Sequence, residues 1–226
     1  MAVNVVEKTD ELVPVRTVLL SVSDKDGLET LVPGLVRHCP DVRFLSTGGT
    51  FARVREILGD EADKRLLQVA EYTGQPETQG GLVKTLDFKI YLGLLTETYN
   101  DAHQADLART AASPIDMVVV NLYPFSDTVA RSGTTPEQAR GQIDIGGPCM
   151  IRAAAKNFIR VASVVDPADY STVLEELEKN KGLLGFRLRY RLARKAFAHT
   201  ASYDRAIADY LATTPFDSVS GCYTKM

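Results

Sequence analysis

Asp116-Met117-Val118-Val119-Val120-Asn121 sets four apolar residues in an unbroken row between two polar ones. A short β-branched run without alternation reads as a strand covered on both faces, the pattern of a parallel sheet. Working outward, Thr17–Val22 (TVLLSV) and Val161–Val165 (VASVV) have the same character, and Val42–Ser46 (VRFLS) is a further strand. Leu66–Val69 is a weaker one. Gly27–Val36 and Phe51–Leu58 carry helical spacing between them. Strand–helix alternation of this kind predicts an α/β fold with an open, mainly parallel sheet.

Helix starts are well marked. Thr135-Pro136 places a hydroxyl before a proline at the first helical position, and Gln138 completes a capping-box pattern. Asp166-Pro167 repeats the device, with Asp169 in the first turn. From about Leu183 the chain reads as helical for some thirty residues, a C-terminal arm packed on the core. The expected division is an N-terminal extension (1–15), a core (16–182) and the helical arm and tail (183–226).

The chain has 226 residues, 45% hydrophobic and 24% charged, with a net charge of −3, so the balance speaks against a general nucleic-acid binder. Three cysteines without CxxC spacing and three scattered histidines predict neither a disulfide framework nor a metal site. No apolar run reaches the roughly 20 residues of a membrane span. Met1–Val15 lacks a basic start followed by an apolar core, so a cytoplasmic protein is the expectation.

Ligands of open α/β sheets bind beyond the C-terminal ends of the strands. Two turns fall there: Ser21-Val22-Ser23-Asp24-Lys25 after the first strand and Ser46-Thr47-Gly48-Gly49-Thr50 after the second. Glycine permits close backbone approach, hydroxyls and free N–H groups donate to phosphate oxygens, and Lys25 adds a point charge. Neither turn has Walker A or GxGxxG spacing, so a monophosphate fits better than a triphosphate or dinucleotide. Plain helix capping by Ser23 and Thr50 is the alternative.

Three more segments carry candidate chemistry. Gly80–Thr85 (GGLVKT) is a glycine-led turn with Lys84 and Thr85. Asn121–Phe125 (NLYPF) follows the strongest strand, and Pro124 biases Tyr123 towards an extended conformation. Ile143–Gly147 (IDIGG) places Asp144 before a helix, with Arg152–Asn157 (RAAAKN) further on. A surface lysine, a core tyrosine and a capping aspartate are the competing assignments. As a set, two lysines, a tyrosine and a carboxylate suit proton transfer and oxyanion stabilisation. Cys149, near a helix start, reads as a small filler rather than a nucleophile.

Taken in order, SVSDK (21–25), STGGT (46–50), EYTGQPE (71–77), VKTL (83–86), NLYPF (121–125), QIDIGG (142–147), RAAAKN (152–157) and FAHTASYD (197–204) resemble the IMP cyclohydrolase domain of the bifunctional purine-biosynthesis proteins PurH. The resemblance runs over about residues 16 to 210. It implies a methylglyoxal-synthase-like three-layer α/β/α fold and dehydrative closure of the formamidoimidazole carboxamide ribonucleotide (FAICAR) to IMP. It implies no cofactor and no metal. Ser21, Ser23, Lys25, Thr47, Gly48, Gly49 and Thr50 would hold the ribose phosphate. Lys84 would act on the formyl oxygen, beside Thr85, and Asp144 would orient the carboxamide and take its proton. Tyr123 and Lys156 would assist, while Asn121, Gly146 and Gly147 would shape the base pocket. Implied partners are a small-molecule purine ribonucleotide and a second copy in a homodimer, with no nucleic acid and no membrane.

The chain departs from that family at Leu82, where an arginine is usual, and at Asp87, where a histidine is usual. The transformylase half is also missing from this sequence. A stand-alone cyclohydrolase, fed by a separate formyltransferase, or a cut piece of a longer chain would both account for that. Two other readings stay open: a non-catalytic purine-nucleotide sensor of the same fold, and a methylglyoxal-synthase-type phosphate lyase.

Overall fold

Seven strands occur among the described residues: β1 Leu12–Pro14, β2 Thr17–Val22, β3 Arg43–Ser46, β4 Leu66–Gln68, β5 Met117–Asn121, β6 Ala162–Val164 and β7 Leu183–Gly185. The structure is a computed structural model that describes residues 5–75, 78 and 84–226. β2 to β6 form one fully parallel sheet in the order β4-β3-β2-β5-β6. The helices of eight or more residues are α1 Leu28–His38, α2 Gly48–Leu58, α3 Phe88–Leu95, α4 Asp101–Thr110, α5 Gly146–Lys156, α6 Tyr170–Lys179 and α7 Phe186–Thr213.

The unbroken apolar runs are buried on both sides, as their composition requires. Val18, Leu20 and Val22 of β2, with Met117 and Val119 of β5, face a core built with α1, α6 and Val54 of α2. Leu19, Val118 and Val120 face the opposite way, onto α3 and α5. This is the expected three-layer α/β/α arrangement. α7 packs along the edge strand β6 and closes the end of the sandwich. Its Leu188 and Leu192 enter the first core, and its Ala193 and Ala196 the second.

Several boundaries differ from the sequence expectation. α2 begins at Gly48, three residues early, so both glycines of STGGT lie in its first turn. Leu66–Gln68 is a strand, but Val69 already starts a short helix, Val69–Thr73. Leu183–Gly185 is not helical: it pairs antiparallel with Leu12–Pro14, with Leu12 opposite Gly185 and Pro14 opposite Leu183. Local sequence does not reveal that pairing, because the partner strand comes from the other end of the chain. The predicted capping devices are present. Thr135 and Gln138 bond reciprocally, and the Asp166 side chain accepts from Ala168 N–H.

Arg189, fully buried in the first turns of α7, fastens this end of the molecule. Its guanidinium donates to the carbonyls of Asp10 (2.6 Å), Phe158 (3.2 Å) and Ile159 (3.1 Å), and to Leu184 and Glu11. It therefore joins the N-terminal segment, β7 and the loop before β6. Five carbonyl acceptors, in buried or part-buried bonds, lose their donor if the side chain is removed, and leaving such groups unpaired is costly. Arg189→Met is expected to destabilise the fold by about 3 kcal/mol or more, read as a lower urea midpoint at unchanged m-value.

Candidate active site

The chain runs β2, β3, β4 to one side of the sheet and then β5, β6 to the other, so the order switches direction between β2 and β5. A crevice opens beyond the carboxyl ends of strands at such a switch point. Here it is a cleft of about 280 Å³, lined by residues from five separate segments of the chain.

Its floor is set by register. Val22 of β2 lies opposite Asn121 of β5. The Asn121 side-chain oxygen accepts the N–H groups of Ser23 (2.6 Å) and Asp24 (2.9 Å), and its amide nitrogen donates to Asp24 C=O (2.8 Å). Asn121 thus folds the 21–25 turn as well as lining the cleft. Thr50 does the same from the other side. Its hydroxyl accepts Val22 N–H and donates to Val22 C=O, both at 3.0 Å. Ser46, at the base of the same turn, donates to Leu20 C=O at 2.9 Å. The hydroxyls of Ser46 and Thr50 are therefore committed inside the protein.

The start of α2 is built differently. Thr47 occupies the N-cap position, yet its side chain makes no capping bond. The first turn bond runs from Phe51 N–H to Thr47 C=O, which leaves the N–H groups of Gly48, Gly49 and Thr50 ahead of the helical ladder. Gly48 has a φ of 49°, a conformation that favours glycine. A Cβ on Gly48 would lie 3.4 Å from Lys84 Nζ, and one on Gly49 would lie 3.8 Å from Lys25 Nζ. Lys25 and Lys84 thus flank the positive end of α2, Lys25 beside Gly49 and Lys84 beside Gly48 on the side towards the rest of the cleft, with the cleft-lining Ser21, Ser23 and Thr47 nearby. That is an anion pole.

Tyr123, Asp144, Gly146 and Gly147 line the remainder, with Thr85 beneath them. Tyr123 is nearly half exposed, so its ring belongs to the cleft wall and not to the core. One Asp144 oxygen accepts Gly147 N–H at 2.8 Å, so the carboxylate does cap α5 as well as facing the cleft. Burial raises the Asp144 pKa above the ordinary carboxylate range, against the opposing pull of the Gly147 and Tyr123 N–H groups. A Cβ on Gly146 would come within 2.6 Å of the Thr85 hydroxyl. Glycine there lets Thr85, itself buried, reach the site.

Of the expected site residues, Lys156 alone stands apart. It lies in the last turn of α5, ten residues from the Gly146 end, or ~15 Å along the helix at 1.5 Å per residue, and it is exposed. The sequence sets RAAAKN one to three turns beyond IDIGG, and in the structure both lie on this one helix, with Lys156 at its far end. Leu82 and Gly80–Val83 lie outside the described residues. Asp87 is the N-cap of α3, accepting Lys89 N–H at 2.7 Å, which gives this departure from the family pattern a local structural role. Lys89 donates to Tyr72 C=O, and Arg152 sits over the Phe197 ring, so neither is part of the cleft. Cys149 does not line the cleft; its neighbour is Tyr91. Sequence reading missed Val22, Leu86 and Met150 in the lining, apolar residues with no chemical signal of their own.

The parallel α/β/α sandwich, with its cleft at the switch point, has the architecture of the methylglyoxal-synthase type. Residues 28–149 match the MGS-like domain model, and residues 154–225 match the AICARFT/IMPCHase bienzyme model. The chain belongs to the MGS-like domain family, as a relative of the cyclohydrolase part of PurH. It is 47% identical over 209 residues to the bifunctional purine biosynthesis protein PurH of Magnetococcus marinus, covering 92% of this chain and 38% of that protein. The PurH of Lactiplantibacillus plantarum is also 47% identical, over 201 residues, 89% of this chain and 38% of that one. The chain thus spans about two fifths of the curated relatives it matches. A crystal structure of ForH superposes with a TM-score of 0.76 at 34% identity, covering 87% of this chain and 97% of the other. Among the described residues no helix is long and apolar enough to cross a membrane.

The raised Asp144 pKa has a sign that stability can report. The fold favours the protonated carboxyl, so wild-type stability is lost as pH rises from the ordinary Asp value through the raised one. Asp144→Asn keeps an oxygen to accept Gly147 N–H and removes the charge. It is expected to unfold at a higher temperature than wild type at pH 7, with the gain shrinking as pH falls below the ordinary carboxylate range, as measured by calorimetry across pH.

Proposed function

We propose that this chain is an IMP cyclohydrolase that closes FAICAR to IMP. One observation carries the reading: a single cleft has an anion pole at one end and Lys84, Tyr123 and Asp144 along its walls. The similarity to PurH across nine tenths of the chain supports the same reaction.

The ribose 5′-phosphate sits at the start of α2, on the Gly48, Gly49 and Thr50 N–H groups, with Lys25 and the Ser21, Ser23 and Thr47 hydroxyls around it. Asn121 acts through the 21–25 turn and not by touching the base. The imidazole substituents then lie towards Asp144 and Tyr123. The carboxamide nitrogen attacks the formyl carbon, and a C–N bond forms as the formyl C=O π electrons move to oxygen. That oxygen leaves as water, carrying one hydrogen from the carboxamide nitrogen and one from the formamido nitrogen. Asp144 takes the carboxamide proton, and the rise of its pKa on burial makes the carboxylate a stronger base. Lys84 stabilises charge developing on the formyl oxygen. Both reacting groups lie on adjacent ring carbons, so much of the acceleration is positional.

On this reading the protein acts on a free purine ribonucleotide, works as a homodimer in the cytoplasm, and receives its formylated substrate from a formyltransferase activity. The core and arm divide at about residue 182. Lys156 contributes nothing within the cleft of its own chain.

Purified protein mixed with FAICAR is expected to give the ultraviolet spectrum of IMP. Lys84→Ala and Asp144→Asn are each expected to lower turnover by roughly 100-fold or more, as groups acting in the transition state. Tight IMP binding without turnover in the wild type would favour a nucleotide sensor instead, and near-normal rates in both variants would remove their assigned roles.

A further inference from the structure

The Asp144 turn is held from behind by a residue from the far end of the chain. Tyr203 lies in α7, on the face turned to the core, within the FAHTASYD stretch to which no role has been assigned. Its phenol oxygen accepts Asp144 N–H at 2.8 Å, and its hydroxyl donates to Gln142 C=O at 3.0 Å. Burial raises the phenol pKa, so the group stays neutral and keeps the proton it donates. Its ring meets Phe125 edge-on at 6.3 Å and 69°. Phe125 is itself buried and makes a second edge contact with Tyr210 of α7, at 5.7 Å and 85°. Phe125 ends NLYPF, two residues after Tyr123. One helix thus fastens both loops that carry the acid–base wall of the cleft.

A neutral phenol can accept and donate at once, and this one uses both capacities on backbone two residues apart. That fixes the direction in which the chain leaves Asp144 towards Gly146. The carboxyl is then fixed as well, because one of its oxygens is already tied to Gly147 N–H.

We propose that Tyr203 is a positioning residue, which pins the 142–144 backbone so that the Asp144 carboxyl is held in the cleft, and which couples the C-terminal helix to the chemistry. The inference rests on the assignment of Asp144 as the proton-accepting group. Around that carboxyl, Lys84 and Tyr123 line the same cleft, while Tyr203 and then Asp204 lie behind it.

Tyr203→Phe removes only the oxygen and keeps the ring on Phe125, so the full chain is expected to fold, with its thermal midpoint as the control. In FAICAR ring closure it is expected to lower kcat roughly tenfold while KM and IMP affinity stay within about twofold. In the Asp144→Asn background it is expected to cost nothing further, since a residue acting through Asp144 is not additive with its loss. Additive losses, or a loss of IMP affinity as large as that of kcat, would overturn the proposal. A second measurement does not depend on turnover: the carbon-13 titration of the Asp144 carboxyl. It is expected to move towards the ordinary carboxylate range in Tyr203→Phe, as the loosened turn admits water. An unchanged titration overturns the positioning role. A wild-type protein inert towards FAICAR would instead overturn the proposed reaction, and the titration would still decide the role of Tyr203.

Discussion

The parallel register of β2 on β5, which sets Val22 against Asn121, is the constraint from which the site follows. It brings one side-chain amide beneath the 21–25 turn, where it satisfies three backbone groups at once. Thr50 then binds both polar groups of Val22, so the start of α2 is locked to the end of β2. A register shift by one residue would turn the alternate apolar residues of both strands to the wrong core and remove Asn121 from the turn. The same packing that buries the sheet on two faces therefore also aims the anion pole. Backbone N–H groups can be left without helical partners at α2 because side chains elsewhere hold the turn rigid.

The cleft contains a conflict that its surroundings sustain. Asp144 caps α5, a favourable task for an ionised carboxylate, yet it is buried enough that its charge is disfavoured. The outcome is a carboxyl whose pKa burial raises from its ordinary value. Keeping it there depends on rigid support, since a loose turn would expose it to water. The support comes from α7, which also closes the sheet edge and, through Arg189, gathers the N-terminal segment. A single helix of 28 residues thus packs on both cores and backs the Asp144 turn.

Much of this was legible in the residues. The unbroken runs at 17–22 and 116–121 specified buried parallel strands, because only a strand covered on both faces can use such a run. SVSDK and STGGT were readable as candidate ligand turns from glycine and hydroxyl content after a strand, and both line the cleft. The order of NLYPF, IDIGG and RAAAKN carried the family. The division of labour among similar residues was not legible. Thr47 and Thr50 have the same side chain three positions apart, yet one leaves its hydroxyl at the cleft and the other is spent on Val22. Asn121 could equally have faced a base or a backbone turn.

Sequence by itself determined the class of fold, the strands that build it and the segments from which the cleft is drawn, because hydrophobic periodicity and turn chemistry are local properties. Tertiary structure alone decided which of those segments meet. It placed Lys84 over Gly48, carried Lys156 to the distant end of α5, paired the two ends of the chain as β1 and β7, and set Tyr203 behind Asp144. Lys156 apart, each of these depends on contacts between residues tens to well over a hundred positions apart. No local pattern encodes such contacts, because they are selected by the packing of the whole sheet and its helices.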